Sequence, residues 1–440
     1  MSKFLGKILY FLALTGLFFV PLKNLSSQNF TDAYKPFWYL KGAGAHSTAI
    51  SYNSTSHAEG INGLVGNPAL LGEVQKTQAS FSILSDVFNQ KVRLGYEDNY
   101  NNEIATKAGL DNIGIVYPIP VYRGSFVIGV SYTNRAIYNY ISESSGWEYE
   151  HINPDTGYYL TEEIRENGRL NSLNLGGAME VSKDIFVGLG FHLYNGERDF
   201  DFDGYDQDRG DFYYYKRYSL NKDINTDYNG WNFSFGSLYR GDNFKWGVKL
   251  STPLKLNATE DYTIDTTQTW DYESPFDTTI SGENQEYSTK LPMKISTGIS
   301  LNISNVIVSM DLSINNWDQI EFDSNFDSDG SIDQFVNESI ALNLTQTVDY
   351  GVGLILPFTN SGNISLGYRL IGKPLENLTS KYQNLDLYSA GLNYQINNFE
   401  FELGYQMSRG YNNESHFFYT DKEEKYRNHR FAFTTRFIFD

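Results

Sequence analysis

Phe431-Ala432-Phe433-Thr434-Thr435-Arg436-Phe437-Ile438-Phe439 puts Phe431, Phe433, Thr435, Phe437 and Phe439 on one side of an extended chain and Ala432, Thr434, Arg436 and Ile438 on the other. That is the period-two signature of a β-strand with unlike faces. The same alternation sets Leu173, Leu175, Gly177, Met179 and Val181 against Ser172, Asn174, Gly176, Ala178 and Glu180. It also sets Leu291, Met293, Ile295, Thr297, Ile299 and Leu301 against Pro292, Lys294, Ser296, Gly298, Ser300 and Asn302. Strands of soluble sandwiches are mostly about five or six residues long. Runs of this greater length suit a tilted crossing of a bilayer, which takes about nine to eleven residues.

From Lys76 onward the connections alternate between tight and long. The tight ones are Ser182 to Asp184, Gly241 to Asn243, Ser304 to Asn305, Thr359 to Ser361 and Asn397, with a Pro-bearing one from Pro118 to Gly124. Polar excursions near 97–111, 140–170, 197–227, 257–287, 320–344, 371–383 and 410–427 are expected to be the long loops. Six tight turns join twelve strands; one near 77–96 and one near 429–439 bring the expectation to fourteen. An even count with both ends on the short-turn side is the pattern of a bacterial outer-membrane barrel, and closure leaves no unpaired edge in lipid. The fold class expected is therefore all-β: a transmembrane antiparallel β-barrel of about fourteen strands over 76–440.

The beginning of the chain fixes the expected compartment. Lys3 and Lys7 precede an apolar run of 13 residues from Ile8 to Val20, then Pro21 and the small polar Ser26, Ser27 and Gln28. This is the layout of a cleaved secretory signal peptide over 1–28, too short to span a bilayer as a helix. There is no Cys, so disulfides and thiol chemistry are excluded. Three of the 34 basic residues and no acid fall in the signal region, leaving 31 basic against 53 acidic residues, a net −22. That balance argues against nucleic acid as a partner, because phosphate is met by Lys and Arg. The 34 Tyr, 30 Phe and 6 Trp on a mean hydropathy of −0.42 suit aromatic girdles combined with wet loops.

Residues 29–75 break the alternation. Gly42-Ala43-Gly44-Ala45 and then Gly60, Gly63 and Gly66 stand among Ser, Thr and Asn, ending at Asn67-Pro68-Ala69. Small residues allow close backbone packing and proline fixes φ, as a segment wedged inside a barrel requires. A periplasmic arm is the alternative reading of the same composition.

Here the chain resembles the FadL/TodX family of outer-membrane transporters for long-chain fatty acids and other hydrophobic compounds. The segment closing in Asn67-Pro68-Ala69-Leu70 is similar to that family's N-terminal plug. Gly230-Trp231-Asn232-Phe233 through Gly236, Tyr239-Arg240, Gly247, Ser251 and Pro253 resembles one family hairpin. Leu291-Pro292, Gly298, Asp311 and Asn316-Trp317 resemble another, and Gly362–Tyr368 and Leu385–Tyr405 are similar in style. The stretch between the first Gly pair and Asn67 is a few residues longer than the family's, and Asp440 follows the terminal aromatic. The resemblance implies passive uptake of a hydrophobic small molecule, release through an opening in the wall into outer-membrane lipid, no cofactor and no enzymatic step. It assigns Gly42 and Gly44 to the plug, with Asn67, Pro68 and Ala69 as the hinge of a gate. A docking platform for protein secretion or surface attachment is the other function such a barrel could serve.

With apolar faces toward lipid, the lumen receives Glu180, His192, Arg240, Lys245, Lys249, Lys294, Asp311, Asp349, Arg369, Glu400, Glu402 and Arg436. Buried charges need partners. These residues either pair along the wall or leave a cation, Lys249 or Arg240, for a ligand carboxylate. Hydrolysis would require a histidine within about 3 Å of a serine oxygen, and His192 has no serine nearby on its own strand. Finally, Asn325, Asp327, Asp329 and Asp333 around Gly330 have the spacing of a calcium loop, with Val336 where a closing Glu would stand. They are the expected, weak Ca²⁺ site of an extracellular loop.

Overall fold

The computed structural model describes residues 33–34, 37, 40–94, 99–148, 158–210, 215–326, 330–375, 384–415 and 421–440. The expected signal peptide lies outside them. From Gln78 onward one antiparallel sheet accounts for nearly all of the described chain. Its first half comprises β1 (Gln78–Leu94), β2 (Asn101–Ile119), β3 (Phe126–Glu148), β4 (Tyr158–Ser182), β5 (Ile185–Asp208) and β6 (Tyr215–Arg240). Next come β7 (Phe244–Ser251), β8 (Leu254–Trp270), β9 (Phe276–Leu291), β10 (Lys294–Ile303), β11 (Val306–Asn316) and β12 (Glu321–Ser324). The last five are β13 (Gln346–Thr359), β14 (Gly362–Gly372), β15 (Asn384–Ile396), β16 (Phe399–Ser415) and β17 (Asp421–Ile438).

β1 pairs with β17 from Gln78↔Ile438 to Leu94↔Lys422, so the sheet closes on itself. Three crossings are each split in two: β7 and β8 both pair with β6, β9 and β10 follow one another, and β11 leads into β12. Seventeen segments therefore make fourteen crossings. The three breaks fall on adjacent crossings, at Thr252-Pro253, Pro292-Met293 and the 3₁₀ turn Trp317–Gln319. Proline cannot donate to a ladder, so two of these breaks are written into the sequence.

The barrel has two storeys of opposite polarity. Near the tight turns, Leu173, Leu175, Met179 and Val181 of β4 and Ile185, Val187, Leu189 and Leu193 of β5 are exposed on the outside, while Ser172, Asn174 and His192 are buried inside. Farther along the wall apolar residues join the inside: Leu160, Leu170, Phe202, Leu220 and Ile264 are buried there beside polar Glu162 and Arg198, while Arg165 and Asn167 face water. The lower storey fits lipid and the upper one fits solvent. This inversion explains a correction. The excursions expected as long loops are mostly wall: β5 ends at Asp208 and β6 begins at Tyr215; β8 ends at Trp270 and β9 begins at Phe276. Outside the bilayer the outward residues are polar, so the lipid-type alternation disappears although the strand does not. A second correction concerns Leu291, expected on the lipid face with Met293. The break at Pro292-Met293 separates it from β10, and it is buried in an inner apolar cluster with Leu254, Leu256, Trp317 and Ile320.

That cluster is covered by α3 (Ser331–Asn343), which follows α1 (Gly44–Ala49) and α2 (Asn62–Val65) in chain order. α3 buries Val336 and Ile340, and the Asn337 side chain is tied to Phe322, accepting from its N–H and donating to its C=O at 2.8 Å each. Among the described residues no helix is long and apolar enough to cross a membrane. Strands make the crossing.

Residues 40–74 occupy the lower lumen, and inward-facing glycines all round the wall make room for them. A Cβ at Gly404 of β16 would stand 2.3 Å from the Ala45 carbonyl oxygen, one at Gly247 of β7 2.0 Å from that of Thr55, and one at Gly188 of β5 2.4 Å from the Ala69 nitrogen. Gly114, Gly176, Gly351 and Gly367 are filled in the same way by Ile61, Leu64, Asn53 and Ile50. Contacts with opposite sides of a closed ring place the segment inside it. We expect Gly404→Val to displace α1 while leaving the wall closed, since overpacking costs about 1–3 kcal/mol. In detergent the variant should keep its heat-modifiable migration on gels but expose residues 40–60 to protease; protection equal to the parent's would contradict the packing.

Candidate lumen site and its relatives

The lumen segment is held to the wall largely by the charges read from the sequence. Asp311 accepts from the Thr55 N–H at 2.9 Å. Arg369 donates to the Tyr52 carbonyl at 3.1 Å and to Ser313 Oγ at 3.3 Å. Glu402 accepts from the His46 N–H at 3.1 Å and pairs with Arg436, which also meets Glu400 at 2.7 Å and Glu59 at 3.3 Å. Lys294 of β10 lies 3.6 Å from Asp349 of β13, a further wall-to-wall pair. Arg240 is paired near the tight turns, 3.2 Å from Asp184 and over the Phe186 ring. Lys249 differs from all of these: its ammonium donates to the Val65 carbonyl at 2.7 Å and meets no carboxylate among the described residues. The expected wall ladder holds where Arg436 meets Glu400 and Glu402, while Asp311 and Arg369 bond to the segment's own backbone, because that backbone must be satisfied wherever water is excluded.

Asn67 is a fixed point. Its side-chain oxygen accepts from the Ala69 N–H at 3.1 Å, capping the 3₁₀ turn Pro68–Glu73, and its amide donates to the carbonyls of Thr55 at 2.8 Å and Ser237 at 3.0 Å. Pro68 and Ala69 press on Gly188, and Asn67 on Gly236. The expected hinge at Asn67, Pro68 and Ala69 is in this geometry an anchor. At the other end, Gly42 leaves no room for a Cβ beside Ser47 and Tyr52, and Gly44 adopts φ +77° while donating its N–H to Asp111 at 2.8 Å. Lys41 pairs with Asp111 and donates its own N–H to the Arg135 carbonyl at 2.9 Å.

Asp111 and Arg135 are both set out of register, one in β2 and one in β3. The β1–β2 ladder shifts between Ser82/Ile83, skipping Asp111, and the β3–β4 ladder shifts between Asn134/Ala136, skipping Arg135. Bulges of this kind re-aim side chains and bend strands. The β2–β3 ladder stops at Asn112↔Thr133, so Asn101 to Leu110 pair with β1 on one side and, among the described residues, have no strand partner on the other. Thr133 is level with Ser172, directly above the lipid-facing Leu173, so this fork opens at the rim of the apolar belt. Side chains cover part of the open edge: Arg169 donates to the Ala108 carbonyl at 2.8 Å, and Lys107 to the Gly168 carbonyl at 2.9 Å.

Two cavities meet behind the fork, sharing Lys41 and Arg135. One, of about 190 Å³, lies between the lumen segment and the inner apolar cluster. Its lining combines Phe37, Leu40, Leu254, Leu291 and Trp317 with Lys249, Lys294, Arg369, Asp311 and Asp349. The other, of about 250 Å³, is lined by Tyr34, Phe88, Tyr138, Tyr140, Leu385 and Tyr426 together with Glu166, Asp86 and Arg430. The sequence did not reveal the fork, since each bulged residue looks like an ordinary strand position.

His192 does find a serine, on the neighbouring strand. Its Nε2 lies 2.9 Å from Ser234 Oγ and its Nδ1 2.8 Å from Asn174 Oδ1. Asn174 in turn donates to Ser131 Oγ at 3.1 Å and Thr133 Oγ1 at 3.2 Å. A nucleophile also needs convergent oxyanion donors, but Ser234 is fully buried and sits in register with both Gly190 and Ser251, within the wall's ladders. The trio is a strut of the polar wall, not an active site.

In the calcium candidate, Asp327 and Asp329 lie outside the described residues. Asp333 accepts from the Ser324 N–H at 3.0 Å and Ser324 Oγ at 2.5 Å, and Asn325 donates its N–H to the Glu286 carbonyl at 3.3 Å.

A closed fourteen-crossing wall, a lipid-facing belt and a lumen filled by the chain's own early residues define an outer-membrane β-barrel of the FadL/TodX fold. The family model for BamG matches residues 51–402, four fifths of the chain, and the protein belongs to the BamG family. Among curated proteins no relative is found by sequence. Among solved structures the chain is similar to a FadL homologue of Pseudomonas aeruginosa (TM-score 0.61, 12% identity, covering 91% of this chain and 99% of that one). It is similar also to the toluene transporter TodX of P. putida (TM-score 0.58, 12% identity, 91% and 99%) and to the toluene transporter TbuX of Ralstonia pickettii (0.55, 13%, 90% and 99%). At such identities the likeness is one of fold.

Asn67→Ala would remove the cap and leave the Thr55 and Ser237 carbonyls without their donor, a loss of about 1–3 kcal/mol. Hydrogen exchange followed by mass spectrometry should show residues 55–74 opening faster with β5 and β6 unchanged; equal exchange in both proteins would show that Asn67 is no anchor.

Proposed function

We propose that the protein takes up hydrophobic compounds carrying one anionic group, long-chain fatty acids among them, and releases them sideways into the bilayer at the fork between β2 and β3. The observation that carries this reading is the end of the β2–β3 ladder at Asn112↔Thr133, at the rim of the lipid belt and next to two cavities. The first cavity suits an amphiphile: apolar side chains form one part of its lining, and Lys249, Lys294 and Arg369 outnumber Asp311 and Asp349 in the other. Lys249 supplies a point charge for a carboxylate. The lumen segment is the gate. Its movable end is at Lys41 to Gly44, where the Lys41–Asp111 pair latches it to the bulge that makes the fork.

The names of similar structures support this reading through two toluene transporters and a FadL homologue. Proteoliposomes bearing the protein should take up radiolabelled oleate faster than empty ones, and Lys249→Met should slow oleate several-fold while sparing a neutral alkane. Equal oleate uptake with and without protein would end the proposal. Deletion of residues 29–66 should raise single-channel conductance in planar bilayers, and an unchanged conductance would remove the gate.

A docking platform for secretion or surface attachment is the second reading. It is favoured by the tall water-facing upper storey and by a lumen segment bonded to the wall on several sides. Lipid or detergent density in the lumen beside Lys249 would favour uptake, and a partner chain co-purifying on the upper storey would favour docking. Weak calcium binding by Asn325, Asp327, Asp329 and Asp333 is a subsidiary proposal, and calorimetry with Ca²⁺ showing no heat would dispose of it.

A further inference from the structure

The lumen segment holds a group of side chains that neither uptake nor docking uses. His46, at the heart of α1, His57 and Glu59 bring one ring nitrogen each and a carboxylate oxygen to within 4.8 Å of one another. The imidazoles lie 5.6 Å apart, centroid to centroid, and tilted by 50°, so they do not stack face to face. Both rings are more than nine-tenths buried, and the Nε2 atoms of both lack a hydrogen-bond partner among the described residues. Two unmet imidazole nitrogens side by side are costly unless something accepts their lone pairs or their protons.

The charge balance points the same way. Glu59, Glu400 and Glu402 gather around one guanidinium, that of Arg436, at 3.3 Å for Glu59 and 2.7 Å for Glu400, with Glu402 closer still. These three acids also form a group spaced to hold a cation. The other partners seen there are the His46 N–H on Glu402, the Asn393 amide on Glu400 and Glu59, and the His46 imidazole, whose Nδ1 lies 3.8 Å from Glu59. With its three carboxylates ionised and both imidazoles neutral, the cluster carries an excess of two negative charges, which a single divalent cation would cancel.

We propose that His46, His57 and Glu59 bind one divalent transition-metal ion, with Zn²⁺ the best fit, at the lower end of the lumen. Two imidazoles and one carboxylate form a ligand set that Zn²⁺ accepts with a water in the fourth place, whereas Ca²⁺ and Mg²⁺ call for oxygen ligands throughout. Glu400, Glu402 and Arg436 stand behind Glu59 as its supporting shell, tying the ion to β16 and β17. The ion would cross-link the stretch from α1 to Glu59 and so fix the segment inside the barrel. This site is independent of what the barrel conducts.

The test uses the full mature chain in detergent, purified without a His tag and stripped with chelator, which the absence of cysteine simplifies. Calorimetric titration with Zn²⁺ should give one equivalent per chain, and Co²⁺ should give the intense visible absorption of a four-coordinate ion. His57→Gln and His46→Gln should each weaken binding by about two orders of magnitude. His429→Gln, whose ring is bonded to the Tyr405 hydroxyl instead, should leave it unchanged. Heat-modifiable gel migration shows whether each variant has folded. Should the histidine variants fail to fold, X-ray absorption of the Zn²⁺-loaded parent decides, with two imidazoles in the coordination shell expected. No binding by the parent, equal loss in His429→Gln, or a shell with fewer than two imidazoles would overturn the assignment.

Discussion

Inside a bilayer a backbone N–H or C=O without a partner costs several kcal/mol, so a strand wall must either close or be covered wherever it meets lipid. The β1–β17 ladder meets that demand over its full length, from Gln78 to Leu94. The departures are placed accordingly. The gap between β2 and β3 opens only from Asp111 upward, where Arg169 of β4 reaches across to the Ala108 carbonyl and Lys107 of β2 reaches back to the Gly168 carbonyl. The broken crossings leave the ladder at Thr252, yet Thr252 Oγ1 accepts from the Phe233 N–H at 3.0 Å and the Thr252 N–H returns to the Phe233 carbonyl at 2.9 Å. Side chains repair the pairing wherever the wall bends.

The same constraint acts inward. A lumen segment without regular strands carries its own polar backbone into a space with little water. The wall answers with small residues and polar side chains: glycine where the backbones approach, Thr434, Asp311 and Glu402 as acceptors for backbone N–H groups, and Ser389 as a donor to the Ala49 carbonyl. Bulky aliphatics at those inner positions would have excluded the segment. A wholly polar lumen would have filled with water. The alternation of glycine with serine and charge along β13 to β16 is therefore the imprint of what the barrel contains.

Much of this was legible in the sequence. The alternation at Leu173–Val181 and Phe431–Phe439 gave the correct outward faces, and the tight turns at Ser182–Asp184 and Gly241–Asn243 fall where the strands reverse. Other features were hidden for definite reasons. In the upper storey both the water-facing and many of the lumen-facing residues are polar, as Glu162, Glu163 and Glu166 of β4 illustrate, so strand and loop look alike. Leu291 has the right spacing for the lipid face, but the proline after it interrupts the crossing and turns it inward. The neighbours of His192, Ser234 and Asn174, stand 42 and 18 residues away and meet only because registers align three strands. Gly188, Gly247, Gly351 and Gly404 could have been read as a packing signal. Each lies on the inward face of a strand, where glycine weakens a sheet unless another backbone comes close.

The two ends of the lumen segment are built differently, and on the proposed gating this sets where movement would occur. Around Asn67 the chain is capped, bonded to the Ser237 carbonyl of β6 and to that of Thr55, and pressed between Gly188 and Gly236, so opening it means breaking several contacts together. Around Lys41, among the described residues, the hold on the wall consists of one ion pair and two backbone N–H bonds, all reaching to the bulges of β2 and β3. Those bulges are also what ends the β2–β3 ladder. A change at Asp111 or Arg135 would then act at once on the latch and on the width of the fork, with no need for a path through the rest of the barrel. Coupling between lumen and wall is for that reason expected to be local: two bulged residues, one lysine between them, and lipid beginning one residue below.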